Sequence, residues 1–458
     1  MLNILRNLKE KHDLKTLLFH SSWAITLTSG LSYGFGMLRD KIFANTFGAT
    51  RTLDVYNAAF TIPDTIQQLF ILAALSAAFV PIFTRQHDQK KSLGHAYAHQ
   101  VMSYGILMIA IVGTLTAVFL PQLAPYVVKG FQGAELEEYI RLTRIMLFSP
   151  IIFAISLTYG QILISMKEFL WWGLSPVLYN AGIVMGALIF YPYFGLVGLV
   201  FGTLSGALFH LFIRMVVLKR KKYNFKTIFD FRFTPEVKET IKLALPKMFQ
   251  YGMFSLMLIQ FTNIATALPE GEVTLYGYAR NFQSLPVSLL GIAIATAMYP
   301  TLSHDAGKGL FDKFIRDFKK NRFKSIFYTT LAAIVLALLG KFAIQFLFGG
   351  GEFGEEDVTL LWKVLIVYCF SIPLESLLHI YHRAFYSLKN TLIPSLMHAF
   401  TIFVTIILAN VFSSHIGIFA IPVAFGLGLA MHITVLSIVF PILFKRKKEA
   451  FAFLEQKH

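Results

Sequence analysis

The side chains able to do chemistry in this chain are charged or amide groups set in apolar surroundings. Arg39 and Asp40 stand in GMLRDKI, Asp54 and Asn57 in LDVYNAAF, and Gln67 and Gln68 in IPDTIQQLF. Further along come Lys247 in ALPKMFQ, Arg280 and Asn281 in LYGYARNFQSLP, and Arg383 in HRAFYSLKN. A guanidinium presents planar, paired donors that fit phosphate oxygens. Arg39 and Arg280, one from each half of the chain, therefore suit a clamp on an anionic head group such as a pyrophosphate, with Lys247 and Arg383 positioned to greet it. The competing readings are structural: Arg39 snorkels and pairs with Asp40, Arg280 pairs with Asp54 or Glu272, and Lys247, Arg383 and Lys389 mark topology. Glu375, with Gln260 and Asn263, suits a coupling proton or monovalent cation. The alternative for these three is hydrogen bonding between helices.

What gives these residues weight is their setting. The chain has 458 residues, of which 56% are hydrophobic and only 14% charged, and its mean hydropathy is +0.62. A soluble domain is about 45–50% apolar and about 25% charged. The composition is that of an all-α integral membrane protein, and 46 Phe suit lipid-facing helix surfaces. A charge at membrane depth is costly and marks function by default. The formal net charge of +16 is better explained by basic loops on one membrane face than by nucleic acid, which we do not expect as a partner.

The elements that must position these groups are about twelve transmembrane helices, near 16–44, 53–83, 97–128, 137–166, 169–191, 195–218, 236–267, 273–302, 325–348, 358–387, 391–412 and 417–443. Pro63 and Pro81 are expected to interrupt the second, and broken helices with inward polar groups are how transporters line a cavity. Basic residues gather at the N-terminus (Arg6, Lys9, Lys11, Lys15), at Arg85 to Lys91, Lys219 to Arg232, Lys308 to Lys324 and Lys445 to Lys448. The intervening loops carry acids: Glu135, Glu137 and Glu138; Glu270 and Glu272; Glu352 and Glu355 to Asp357. This alternation places both termini in the cytoplasm. The N-terminal segment lacks a cleavage pattern and reads as uncleaved.

The chain also repeats itself. GLVGLVFGTLSGAL from Gly195 returns as GIFAIPVAFGLGLA from Gly417, about 222 residues later. Pro150 and Pro373, Pro81 and Pro300, and Pro63 and Pro286 keep nearly the same interval. We therefore expect two parallel six-helix lobes around a central cavity, residues 1–218 and 236–458, joined by a basic linker at 219–235. Such repeats suit alternating access. The glycines Gly198, Gly202 and Gly206, and likewise Gly30 and Gly34, are expected to allow close helix packing.

Other chemistries find little support. Cys369 is the only cysteine, which excludes an intrachain disulfide. The pairs His95/His99 and His379/His382 have helical spacing, but two imidazoles make a poor metal site, and no metal is expected. There is no nucleotide-binding glycine loop and no nucleophile elbow, so the chain does not read as an enzyme. No cofactor is expected beyond a coupling monovalent cation or the membrane potential.

The stretch GMLRDKI, then FGA, a D-x-aromatic step, IPD-x5-F and AALSAAFVPIF resembles the opening helices of the MurJ/MviN family. These are lipid II flippases of the MOP exporter superfamily. GQILISMKEFLWWGLSPVLYN, YARNFQSLPVSLLGIAIATAMYPTLS and RAFYSLKNTLIPS extend the resemblance over most of the chain. It implies a MOP-type fold in a bacterial plasma membrane, moving an undecaprenyl-pyrophosphate-linked peptidoglycan precursor outward for cell-wall synthesis, with membrane lipids and cell-wall enzymes as partners. By position, Arg39 and Asp40 match the family's first-helix Arg-Asp, Asp54 its second-helix acid, and Arg383 the Arg of its RAFY motif. The sequence departs from the pattern at Tyr33, Gln67-Gln68 and Leu72, where the family has Arg, an Arg pair and Glu. It departs again at Ala279-Arg280-Asn281, where the family has Ala-Asp-Arg. The family's two extra C-terminal helices are expected to be missing. These departures leave open another polyprenyl-linked oligosaccharide, or a membrane scaffold that transports nothing. A multidrug exporter is disfavoured by the cationic candidates.

Overall fold

In the computed structural model, residues 22–225 and 229–455 are described. The basic N-terminal segment with Arg6 to Lys15, the start of the first expected span, and Lys226 lie outside them. The described chain is helical almost throughout. It runs α1 (Ser22–Phe47), α2 (Arg51–Ala59), α3 (Thr61–Gln67), α4 (Val80–Gln89), α5 (Lys91–Val127), α6 (Ala134–Met146), α7 (Ser149–Ser165), α8 (Phe169–Met185), α9 (Tyr191–Phe194) and α10 (Leu196–Arg220). It continues through α11 (Pro235–Thr266), α12 (Glu272–Pro286), α13 (Ala293–Gly307), α14 (Phe311–Phe348), α15 (Glu355–Cys369), α16 (Ser371–Ser387), α17 (Leu392–Ile416) and α18 (Ala420–Glu455). The basic run Lys445 to Lys448 is thus part of a helix, with Lys448 donating to Asp312 at 2.8 Å.

Among the described residues, eight stretches are long and apolar enough to cross a membrane, and the last of them, Leu392–Phe451, contains both α17 and α18. The passages outside that set, α1, α2 to α4 and α11, are the ones carrying Arg39-Asp40, Gln67-Gln68 and Lys247.

The second passage is interrupted more than its prolines require. Between α3 and α4 lie two π-helical segments, Gln68–Leu72 and Leu75–Phe79. A third, Gly186–Phe190, follows α8, and a fourth, Val287–Ile292, separates α12 from α13. A π-turn sets i→i+5 bonds in an α-helix and is frequent at functional sites.

The chain divides into two compact units, one of residues 1–47 and 55–255, the other of residues 48–54 and 256–458. In the first unit the glycine ladder does what its spacing predicts. A Cβ on Gly182 would lie 2.2 Å from Gly206 Cα, and one on Gly202 would lie 2.3 Å from Gly186 Cα, so α8 and α10 touch backbone to backbone. Gly30 and Gly34 differ from the expectation placed on them: among the described residues nothing lies within 4 Å of a Cβ added at either. The α1 face that meets α8 is instead the one carrying Thr28, against Gly173.

The second unit has its core where α13, α14, α16 and α18 meet, around Leu302, Phe314, Phe318, Ile380, Phe385, Leu436 and Phe440. The rings of Phe318 and Phe440 lie 4.5 Å apart. The acids of the expected outer loops serve as helix starts: Glu135 and Glu137 open α6, Glu272 opens α12, and Glu355, Glu356 and Asp357 open α15. Negative charge is favourable at a helix N-terminus, which is a second cause for their placement besides topology.

Candidate functional site

In the first unit, Arg39 sits near the end of α1, its side chain a quarter exposed, beside a buried Asp40. Its Nη2 donates to Asp40 Oδ1 at 2.6 Å and its Nε to the same oxygen at 2.9 Å. Its Nη1 donates to Asn180 Oδ1 of α8 at 3.1 Å. Asn180 is held in turn by its own amide, donated to Pro176 O one turn back in α8 at 3.1 Å. Tyr56, buried and bonded to Thr203 Oγ1 at 2.8 Å, and Tyr179 lie within electrostatic reach of the guanidinium. The arrangement is a fixed cation with its charge countered on one edge, able to donate to phosphate oxygens from the rest of its fork. Asn57, Gln67 and Gln68, all half-buried, lie on the neighbouring α2–α3 passage and the π-segment that follows it.

The second unit holds another group. Arg280 of α12 donates to Tyr276 Oη at 3.4 Å, and Tyr368 and Glu375 lie within its electrostatic reach. Glu375 of α16 accepts from Gln283 Nε2 at 2.8 Å, and the same amide nitrogen donates to Ser371 Oγ at 3.2 Å. Asn281, the next residue after Arg280, is exposed. Arg383 lies 5.7 Å from the centroid of the Tyr299 ring, a cation–π distance.

Other candidates fall elsewhere. Asp54 is fully buried and serves as a cap for α12: it accepts Gly271 N at 2.7 Å, and Thr274 N and Oγ1 both at 2.9 Å. Arg51 donates to the carbonyls of Thr266 and Leu268, at the end of α11. Arg51 is therefore the nearest basic partner of Asp54, at 3.9 Å, which answers the alternative that Asp54 would pair with Arg280. Gln260 donates to Asn410 Oδ1 at 3.1 Å, joining α11 to α17, and Asn263 is buried. Lys247 is exposed and reaches Gln250 at 3.4 Å.

Sequence reasoning missed Asn180, Gln283 and Ser371. Neutral polar side chains in an apolar run carry no charge penalty to flag them, and their partners lie 141, 92 and 88 positions away. It also missed that His379 and His382 are joined by His398 and His432: the His382 ring lies 5.4 Å from that of His432 and 6.4 Å from that of His398.

Known proteins resemble this geometry and this sequence. The family model described as lipid II flippase MurJ matches residues 43–454. A probable lipid II flippase MurJ of Bdellovibrio bacteriovorus is 29% identical over 399 residues, covering 84% of this chain and 74% of the relative. A solved structure of lipid II flippase MurJ in an inward closed conformation aligns with TM-score 0.79 and 20% identity, over 93% of this chain and 90% of the other. An inward-facing multidrug resistance MATE family transporter of the MOP superfamily aligns with TM-score 0.75 and 15% identity, over 91% and 95%. At these identities the two structures speak to the fold, which is of the MurJ and MATE kind.

Proposed function

From the premise that the chain belongs to the lipid II flippase MurJ family, we propose that it moves lipid II across a bacterial plasma membrane by alternating access, to supply cell-wall synthesis. It is a multi-pass membrane protein of a transporter family and carries out no bond chemistry. Both termini lie in the cytoplasm in this reading, and the twelve helices form two six-helix lobes. Arg39 binds the pyrophosphate, with Asp40 and Asn180 holding its orientation. Arg280 is the second cation, and Asn57, Gln67, Gln68, Asn281, Lys247 and Arg383 line the route of the head group. Asp54 acts one step removed, through the helix end it caps. Glu375, with Gln260 and Asn263, is the candidate for cation coupling. Membrane potential and coupling to synthetic enzymes remain part of the same proposal.

The observation that carries the reading is the guanidinium of Arg39, fixed in an apolar helix by Asp40 and Asn180 (N···O 2.6 and 3.1 Å). A charge this costly at membrane depth is kept for use. A second reading is favoured by one specific feature, the amides Gln67 and Gln68. An amide pair hydrogen-bonds sugar hydroxyls as readily as phosphate, so another polyprenyl-pyrophosphate oligosaccharide is the alternative cargo.

The test is lipid II translocation in proteoliposomes. Arg39→Ala is expected to lower the rate about tenfold to a hundredfold, the worth of a charged hydrogen bond of about 1.5–3 kcal/mol, with Arg39→Lys in between. A well-folded wild type that moves other polyprenyl-pyrophosphate sugars and leaves lipid II in place would favour the second reading. Equal rates for wild type and Arg39→Ala would remove Arg39 from the site.

A further inference from the structure

Between α10 and α11, the described residues 221–225 and 229–234 are not helical, and they are fastened along one helix. On α5, the side chains of His99, Gln100, Ser103 and Tyr104 fall one turn apart in pairs and all face it. Tyr223 Oη bonds His99 Nε2 at 3.0 Å. Asp230 accepts from Gln100 Nε2 at 3.1 Å, and its backbone N–H donates to Ser103 Oγ at 2.8 Å. Tyr104 Oη donates to Phe231 O at 2.6 Å, and Thr234 Oγ1 donates to Gln100 Oε1 at 3.0 Å. A mere tether between two helices needs none of these bonds.

Fastened this way, the non-helical run Phe229–Thr234 turns Asp230 one way and its phenylalanines the other. Asp230 points in and is buried. Phe229, Phe231 and Phe233 point out, 56%, 51% and 60% exposed. The rings of Phe229 and Phe231 lie parallel, 6.3 Å apart, and Tyr104 meets Phe231 and Phe233 edge-on. Three exposed phenylalanines on one face of a strap would be a liability in water. Their face continues that of α5, where Leu107, Met108, Ile111 and Leu115, beginning one turn past Tyr104, are all exposed. The cations Lys219, Arg220 and Lys222 stand exposed at the end of α10, and the Arg232 side chain is 71% exposed within the aromatic run.

We propose that Phe229–Phe233 is an interfacial anchor, its aromatic face seated at the acyl boundary and its flanking cations on the head groups of anionic phospholipid. Aromatic rings with basic neighbours are the composition that lies in a membrane interface, and each nearby Lys or Arg adds attraction to an anionic leaflet. The anchor would hold the link between α10 and α11 at a fixed depth. The Asp230 part of this fastening keeps its charge at neutral pH. The Asp230 carboxyl is held down to about 2 by the Arg232 side chain, by the Arg232 backbone N–H and by the Gln100 amide. A carboxylate depressed in this way contributes fully above its ordinary value near about 3.9 and is lost only as pH falls through the depressed one.

The test places a nitrobenzoxadiazole label on Phe231→Cys in a Cys369→Ser chain, reconstituted in phosphatidylcholine with and without phosphatidylglycerol. Quenching by nitroxide on the upper acyl chain, with protection from aqueous iodide and stronger insertion with phosphatidylglycerol, is the expected result. Lys219→Gln and Lys222→Gln are each expected to lower the ratio of inserted to exposed label about fivefold in the anionic membrane. Iodide quenching in both compositions would overturn the anchor. Insertion indifferent to phosphatidylglycerol would overturn the head-group half of it. None of these readouts depends on what cargo the protein carries. A label at Phe233→Cys supplies the same readings should the first variant fold poorly.

Discussion

The two halves of the chain repeat their backbone more faithfully than their side chains. Gly195 and Gly417 lie 222 positions apart and take φ of 57° and 56°. Lys167 and Lys389 keep the same interval at φ 60° and 57°, and Gly48 and Gly271, one position further apart, take 64° and 86°. Left-handed backbone is rare for a residue with a Cβ, so its recurrence at matched lysines is stronger testimony to duplication than any shared letter. Yet at matched positions the contacts differ. His210 bonds Ser156 Oγ at 2.7 Å, while both ring nitrogens of its counterpart His432 lack a hydrogen-bonding partner among the described residues. Gly198 and Gly202 of the first half become Ala420 and Ala424 in the second. A turn geometry survives drift because few residues fit it, whereas a packing face is free to be rebuilt.

The comparison is broken or sharpened by exchanging matched residues. The largest effect is expected where the first half packs most closely. Gly202→Ala installs the second half's residue where its Cβ would lie 2.3 Å from Gly186 Cα. It should cost about 1–3 kcal/mol, read as a lower midpoint of thermal unfolding in detergent. No loss would mean that the α8–α10 contact has slack.

Next come the histidines. His210→Leu removes a buried hydrogen bond and strands Ser156 Oγ, for a loss of about 1–2 kcal/mol. His432→Leu removes a group with nothing to lose and should be neutral or stabilising. Equal losses for the two would show that the imidazole cluster of the second half has partners of its own.

The smallest effect is at the turns. Lys167→Gly and Lys389→Gly relieve a left-handed side-chain clash, and each should raise stability by up to about 1 kcal/mol. Unequal gains would mean that the two lysine turns are less alike than their angles.

How much of this was legible varied with the signal. Most helix ends lay within a few positions of the hydropathy breaks, but α14 starts at Phe311 and α18 runs to Glu455, because the basic stretches there continue the helices past the apolar runs. Arg39 could be singled out because a charge in such a run is costly, and its pairing with Asp40 follows from their being neighbours. Asp54 stood out as an acid in an apolar run and was expected among the head-group residues. Its capping role depends on Gly271 and Thr274, 217 and 220 positions away, and no local pattern announces such a partner. Gly30 and Gly34 have the spacing of a packing face, but spacing cannot say whether a neighbour comes. The strap at Phe229–Phe233 lies inside a segment whose basic residues already account for its place between two helices, so its aromatic residues give no separate signal.

The π-segments carry a lesson about insertion and deletion. From Pro63 to Pro81 is eighteen positions, and from the matched Pro286 to Pro300 is fourteen. The first half has two π-segments in this interval where the second has one. Four added residues wind an α-helix through about 400°, one turn and a small remainder, so every face beyond the insertion looks nearly the way it did before. A single added residue would have turned those faces by about 100° and set polar groups toward lipid. A length change of one whole turn thus leaves the faces beyond it in place, and the two halves differ here by such a turn.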